Sequence, residues 1–314
     1  MRRYTDHDPD YRPKDLATVL RWAVWDRLTG RRRIAPPGPG APWVEIDVER
    51  LSREPDGGRV TWLGHASFLV QLGLANVLID PVLGHRVGPY RRHSPPGIAP
   101  TALPPVHALL VTHSHYDHLD AWTVRRLDRS TPVRVPLGLG GFFRRRGFRD
   151  VDELDWWQHA DLDSPGGRLR VTLVPARHWS SRYGSIDLNT SLWGGFVIEG
   201  VGRSVYHAGD TGDFDQFARI GELVPDGFDL ALLPIGAYEP AWFMEAQHMN
   251  PEQAGRAFLT VGARHMIPMH WGAFQLTDEA LAEPPERLRR FWHAEDPGDG
   301  RAIWFPAVGE ARDF

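Results

Sequence analysis

An α/β sandwich is the fold class that this 314-residue sequence predicts, and three observations point to it. Short apolar runs recur from Val60 onward, first close together as in hairpins and later separated by helix-like stretches. That order suits packed sheets with helices outside them better than a single doubly wound sheet. The composition, 42% hydrophobic and 24% charged, supplies enough apolar material for a sizeable core. A dense polar loop from Thr112 to Asp120 follows the apolar run Ala108-Leu109-Leu110-Val111, where loops on a rigid scaffold collect functional groups.

Taken in order, Lys14 to Leu28 carries Leu16, Leu20, Trp22, Val24, Trp25 and Leu28 at helical spacing, which predicts an amphipathic helix. Its tryptophans either pack on the main body or touch a membrane interface. Arg31 to Pro42 is a Pro/Gly-rich connector. Residues 1–58 therefore read as an N-terminal extension, and residues 59–314 as a single folded domain. Strands are expected at 60–63, 67–71, 76–80 and 108–112, then at 169–174, 191–198, 204–208, 230–234 and 265–269. Helices are expected at 121–127, at 139–146 with Gly147 as a stop, and at 214–223. Asn250-Pro251-Glu252-Gln253 is the clearest helix start: an N-cap Asn, Pro in the first turn and Gln at the third position. The glycines in Leu137-Gly138-Leu139-Gly140-Gly141 lack the spacing of a phosphate loop and read as the start of a helix.

Charge and residue usage exclude several classes. A net charge of −4 carries no nucleic-acid footprint, and the local runs Arg31-Arg32-Arg33, Arg91-Arg92 and Arg144-Arg145-Arg146 read as solvated faces or as contacts to anionic head groups. Cysteine is absent, so disulfides and thiol catalysis are ruled out and any metal must be held by His, Asp or Glu. Met1-Arg2-Arg3 is followed by no apolar segment of the secretory type, and no stretch approaches a spanning helix. A cytoplasmic protein, at most peripheral to a membrane, is the expectation.

The loop itself reads H-x-H-x-D-H. His113 and His115 alternate, so an extended backbone turns both imidazoles to one side; Asp117 continues that side and His118 follows. Imidazole nitrogens with a carboxylate oxygen suit zinc or a similar borderline divalent ion better than calcium or magnesium. A pair of ions needs further ligands. His178 follows the run Val171 to Pro175, Asp210 follows Val205 to Gly209, and His270 follows Met266 to Met269, each just past an apolar strand.

With these motifs assembled, the chain resembles the metallo-β-lactamase superfamily. It resembles more closely the N-acylphosphatidylethanolamine-hydrolysing phospholipase D family within it. The resemblance runs from about Thr61 to Glu310. It is carried by Thr61-Trp62-Leu63-Gly64-His65-Ala66, Leu78-Ile79-Asp80-Pro81, Val111 to Asp120, Ala208-Gly209-Asp210-Thr211-Gly212 and Met269-His270-Trp271-Gly272. The more family-specific stretches are Ile235 to Pro240 and Trp242-Phe243-Met244 through Gln247-His248. It implies a four-layer αββα sandwich and two Zn²⁺ per chain. His113, His115 and His178 would hold one ion, Asp117, His118 and His270 the other, and Asp210 would bridge them. It further implies attack by a metal-activated water on a phosphodiester, with Asp117 orienting that water, and a homodimer.

The resemblance also bears on the neighbouring residues. Asp80 resembles the residue that orients a ligand histidine; His65 reads equally as a pocket group or a structural histidine. Tyr116 and His248 would face the substrate phosphate, whereas His207 should point away from the ligands. Trp156, Trp157, Trp179, Trp242, Phe243 and Met244 are candidates for an apolar acyl-chain wall. The expected activity is a phospholipase D acting on N-acylphosphatidylethanolamine, giving an N-acylethanolamine and phosphatidic acid. The alternatives are a hydrolase of a sugar-phosphate lactone or generic phosphodiester, and a non-catalytic, metal-stabilised, membrane-associated binding protein.

Overall fold

The computed structural model of the protein describes residues 3–295 and 300–314. Met1 and Arg2 of the basic start lie outside the described residues. Two seven-stranded sheets face each other. The first runs Ala311–Asp313, Gly58–Gly64, Ser67–Leu72, Ala75–Ile79, Ala108–Leu110, Val133–Pro136, Val151–Leu154 from edge to edge. The second runs Ala302–Ile303, His265–Met269, Leu230–Pro234, Arg203–His207, Gly195–Gly200, Gly167–Val174, His159–Ser164. Strands on the inner faces contribute Trp62, Phe68, Val70, Val77 and Ile79 from one sheet and Val171, Leu173, Phe196, Ile198 and Leu232 from the other to one buried core. Alternate residues of the first sheet, Leu63, Leu69, Leu78, Leu109, Val133 and Val135, pack outward against Val124 and Phe143 of the helices Ala121–Val124 and Gly140–Arg144. On the far side Ala254, Ala257 and Phe258 of the helix Pro251–Thr260 join Leu288 of Glu283–Glu295 over the second sheet. The result is the four-layer αββα sandwich.

The pairing places the site. From Ala75–Ile79 to Val151–Leu154 the first sheet is parallel, and from Arg203–His207 to Ala302–Ile303 so is the second. Gly58–Gly64 and Gly167–Val174 each reach these blocks through two antiparallel steps, so they point the same way as the parallel strands. The C-terminal ends of all of them therefore emerge at one edge of the sandwich, where open α/β sheets collect ligands.

Several boundaries differ from the sequence expectation, each for a physical reason. The strand foreseen at 191–198 starts only at Gly195, because Leu192 and Gly194 give their N–H groups to the Leu137 and Thr112 carbonyls, outside this sheet. The strand foreseen at 108–112 leaves its ladder after Leu110, since Thr112 gives its N–H to Asp80 instead. Edge strands with mixed polarity, Val151–Leu154 and His159–Ser164, and the proline-ended Val133–Pro136 carried no clean alternation to read. Helix Glu283–Glu295 was hidden by Pro284 and Pro285, which sit in its first turn, where a missing N–H costs nothing. Among the described residues no helix is long and apolar enough to cross a membrane.

The N-terminal helix runs from Leu16 to Leu28, capped by the Asp15 carboxylate on Thr18 N, with a π-helical turn over Arg21–Trp25. Trp22 stacks on Phe243 at 4.6 Å, while Trp25 faces outward. The start at Asn250 is a full capping box: Asn250 accepts from Gln253 N, and the Gln253 side chain accepts from Asn250 N. Replacing Asn250 by Ala removes one of these and leaves an orphan N–H. The expected cost is about 1 kcal/mol of unfolding free energy in a denaturant titration, with bound metal unchanged.

Candidate metal centre

Seven predicted ligands meet at the shared strand edge. His113, His115, Asp117 and His118 come from the loop after Ala108–Leu110, His178 from the loop after Gly167–Val174, Asp210 from beyond Arg203–His207 and His270 from the end of His265–Met269. Two groups form. The donor atoms of His113, His115, His178 and Asp210 lie within 4.8 Å of one another, and so do those of Asp117, His118, His270 and His65. Asp210 joins them: its Oδ2 is 3.2 Å from the Nε2 atoms of His118 and His270 and 3.8 Å from those of His113 and His178.

The spacing fits shared ions. His113 Nε2 and His178 Nε2 stand 2.9 and 3.2 Å from His115 Nδ1. Tetrahedral ligands on zinc, at Zn–N of about 2.0–2.1 Å, would be roughly 3.3 Å apart. The inward Nε2 atoms of His118 and His270 and Asp210 Oδ1 are buried, with no hydrogen-bond partner among the described residues. A native interior rarely leaves several polar atoms in one spot unpaired, and buried charge is balanced by a partner or a metal. Two borderline divalent cations fit this donor set.

Outer contacts fix which face the imidazoles of His113, His118 and His178 present. Asp80, fully buried, accepts from Thr112 N at 2.7 Å, Thr112 Oγ1 at 2.6 Å and His118 Nδ1 at 2.7 Å. Thr112 Oγ1 in turn lies 3.0 Å from His113 Nδ1. His178 Nδ1 donates to the Gln247 carbonyl, and His65 Nε2 donates to Asp117 Oδ2 at 3.0 Å. For these three histidines the far nitrogen is engaged, so the nitrogen turned to the centre would be free to offer its lone pair to a metal. The sequence left His65 undecided; here it buttresses Asp117. Asp6 was missed, since only a folded chain brings Asp6 Oδ2 to 3.1 Å from His178 N, and Gln247, quoted only as part of a motif, was given no such contact. His207 points into the sheet, its Nε2 3.0 Å from the Ala66 carbonyl.

Backbone strain concentrates here. His65, Asp80 and His270 are non-glycine residues with φ of 56°, 42° and 65°, a conformation that costs on the order of 1 kcal/mol or more each and persists only where the surroundings enforce it. Each ends a strand and swings its side chain to the centre. Gly236 permits the last of these turns, because a Cβ there would lie 2.0 Å from the His270 carbonyl oxygen.

Burial drives the imidazoles of His113 and His178 well below their usual range and His115 down to about 4. For His118 burial opposes the charged form, but Asp210, Asp80 and Asp117 outweigh it and lift the group well above the ordinary value; the same balance takes His270 up to about 9. Burial also opposes ionisation of Asp117 and Asp210, yet His118 and its neighbours hold both well below the carboxylate range. The carboxylates are thus charged and demand positive charge beside them, as protons or as metal.

A cavity of about 410 Å³ opens directly over the centre. His115, Asp117, Asp210 and His270 form its floor, and Trp22, Phe243, Met244 and Leu276 are among its apolar walls. Tyr116 lies at its exposed side under the Arg182 guanidinium, 4.2 Å from the ring. His248 lines the wall, its ring 5.1 Å from that of His178 and its pKa pushed down to about 4 by burial. Of the candidates for an apolar wall, Trp179, Phe243 and Met244 reach the cavity. Trp156 is tied to the Trp193 carbonyl, Trp157 lies under Arg219, and Trp242 faces a separate polar hollow behind the helix. Lys14, Val19 and Trp22 of the N-terminal segment also line the cavity, which sequence spacing could not show.

Residues 75–271, well over half the chain, match the family model described as beta-lactamase superfamily domain. The N-acyl-phosphatidylethanolamine-hydrolyzing phospholipase D 1 of Caenorhabditis elegans is 38% identical over 75% of this chain and 70% of its own length. An uncharacterized protein of Mycobacterium tuberculosis is 39% identical over 92% of this chain and 81% of its own. Among solved structures, a metallo hydrolase of Ignicoccus hospitalis superposes with a TM-score of 0.62 at 25% identity, covering 82% of this chain and 99% of that one.

Replacing Asp80 by Ala leaves His118 free to turn and Thr112 N unpaired. The expected result is metal affinity lower by about 10–100-fold in competition with a chromophoric chelator; an unchanged affinity would show that Asp80 does not orient the site.

Proposed function

The chain is a metal-dependent hydrolase of the metallo-β-lactamase fold and belongs to the family that includes the N-acylphosphatidylethanolamine-hydrolysing phospholipases D; on that premise we propose that it cleaves the phosphodiester of an N-acylated phosphatidylethanolamine with two zinc ions. The observation that carries this reading is the polarity of the cavity: a floor of metal-ligating groups beneath walls of Trp22, Phe243, Met244 and Leu276. A small polar diester would leave those walls wet, whereas a phospholipid presents its phosphate to the floor and hydrocarbon to the walls.

Two zinc ions held by the seven ligands would activate water and neutralise the phosphoryl oxygens. The rest falls to the chain. Asp210 sets the separation of the two ligand groups, and Asp117, steadied by His65, aims a carboxylate oxygen at the cavity floor, where it orients the water and takes its proton. The new bond joins the water oxygen to phosphorus, and the bond to the ethanolamine oxygen breaks. That oxygen takes up the proton that Asp117 received, giving an N-acylethanolamine and phosphatidic acid and restoring the carboxylate. His248, kept neutral by burial, keeps an N–H to donate to a phosphate oxygen, and Tyr116 offers its hydroxyl from the rim.

Purified zinc-loaded protein should release N-acylethanolamine from N-acylphosphatidylethanolamine, lose this on chelation and regain it on adding zinc back. His115→Ala should abolish it. Protein that left this lipid intact while hydrolysing bis-p-nitrophenyl phosphate would sink the lipid assignment. Phe243→Ala should raise KM for long-chain substrates about tenfold, through lost apolar burial, with a much smaller change for short-chain ones.

A further inference from the structure

The helix Leu16–Leu28 is apolar on two opposite faces. Val19 and Trp22 turn inward onto the cavity. On the outside Leu16, Leu20, Val24, Trp25 and Leu28 are between 48% and 79% exposed, five large apolar side chains on one helix, and Trp242 beside them is 42% exposed. A helix packed on a globular core has no use for this second face, and five large apolar groups in one strip favour an apolar partner.

Charge narrows the partner. Residues 14–33 hold six basic side chains, Lys14, Arg21, Arg27, Arg31, Arg32 and Arg33, against Asp15 and Asp26. That makes +4 in twenty residues and, with −4 for the whole chain, leaves −8 for the remainder. Asp15 is used in capping the helix, and Asp26 is buried beside Arg21, while Arg27, Arg31 and Arg33 are exposed. Arg21 also lies over the Trp242 ring at 4.9 Å, which joins the helix to the neighbouring aromatic. An apolar strip with tryptophan, flanked by cations on an otherwise acidic protein, has the chemistry of a helix lying in the headgroup plane of an anionic bilayer.

We propose that the outer face of this helix docks on the surface of an anionic phospholipid bilayer, so that the cavity over the metal centre, whose wall is the inner face of the same helix, opens among the lipid head groups. The assignment extends the lipid reading of the cavity and rests on it for its purpose.

The test uses the full, zinc-loaded chain and co-sedimentation with vesicles of phosphatidylcholine alone or mixed with phosphatidylglycerol. Wild-type protein should bind the mixed vesicles, less so as salt is raised. L20E combined with W25E should lower binding about tenfold or more, with bis-p-nitrophenyl phosphate turnover and thermal melting unchanged. R31S combined with R33S should remove the preference for phosphatidylglycerol and keep the weaker binding to phosphatidylcholine. Wild type that ignores mixed vesicles, or an L20E/W25E variant that binds as wild type does, overturns the proposal. So does a variant pair whose only effect is to turn a dimer into a monomer in sedimentation velocity, since the face would then cover a second copy. Protein that docks but leaves N-acylphosphatidylethanolamine intact upholds the docking and refutes the substrate. Protein that hydrolyses the lipid in detergent yet never binds vesicles does the reverse.

Discussion

Asp210 is the constraint on which the rest of this structure depends. One carboxylate oxygen stands within 3.8 Å of four imidazole nitrogens that come from three different loops. Lone pairs brought so close in a buried space repel one another unless positive charge stands among them. Every element that delivers one of these groups must therefore be held against that repulsion when the ions are absent, and aimed to within tenths of an ångström when they are present. The sandwich meets the first demand by supplying the groups from strand ends whose other residues are locked in a fully buried core. Outer hydrogen bonds meet the second: Asp80, Thr112 and the Gln247 carbonyl each claim the far nitrogen of a histidine, and His65 holds the inward oxygen of Asp117.

The strained turns follow from the same requirement. A strand delivers side chains to its two faces, perpendicular to the direction in which the edge of the sheet opens. A ligand at the strand end has to be rotated out of that alternation, and a left-handed residue does so in one step. His65, Asp80 and His270 all take it, although none is glycine, and Gly236 gives way so that the His270 carbonyl can pass. Strain found at three residues around one centre, and paired with a glycine that has no room for a methyl, marks the place where the chain gives up stability for function.

What could be read in the sequence divides along the range of the interactions. The H-x-H-x-D-H loop was legible because its spacing is local, and His178, Asp210 and His270 because an apolar run followed by a ligand type is a local signal as well. The two-sheet plan emerged from the same runs. His65 stayed ambiguous since nothing nearby says that Asp117, 52 positions away, will need its N–H. Asp6 looked like any acidic residue in a polar N-terminus. Periodicity announced the helix after Lys14, but its pattern contains two apolar faces, and only the fold shows that Trp22 was the inward one and Leu16, Leu20 and Trp25 were not. Pro284 and Pro285 concealed a thirteen-residue helix because a proline pair is permitted at a start and forbidden in a middle, and the sequence does not mark which is meant.

Composition sets residues 1–58 apart; contacts tie them in. Asp6 accepts from the backbone of His178, Tyr11 donates its hydroxyl to the Gln247 side chain, and the Gln247 carbonyl orients His178 from the other side. Arg177, next to that ligand, pairs with Asp8 at 3.0 Å. The segment from Asp6 to Tyr11 thus braces His178 from two directions, and the helix that follows lines the cavity with Val19 and Trp22. A force on the outer face of that helix acts on a chain whose preceding residues brace His178 and whose inward residues shape the space above it. The brace on His178, the cavity wall and the exposed apolar strip are in this way supplied by one continuous stretch of chain, from Asp6 to Leu28.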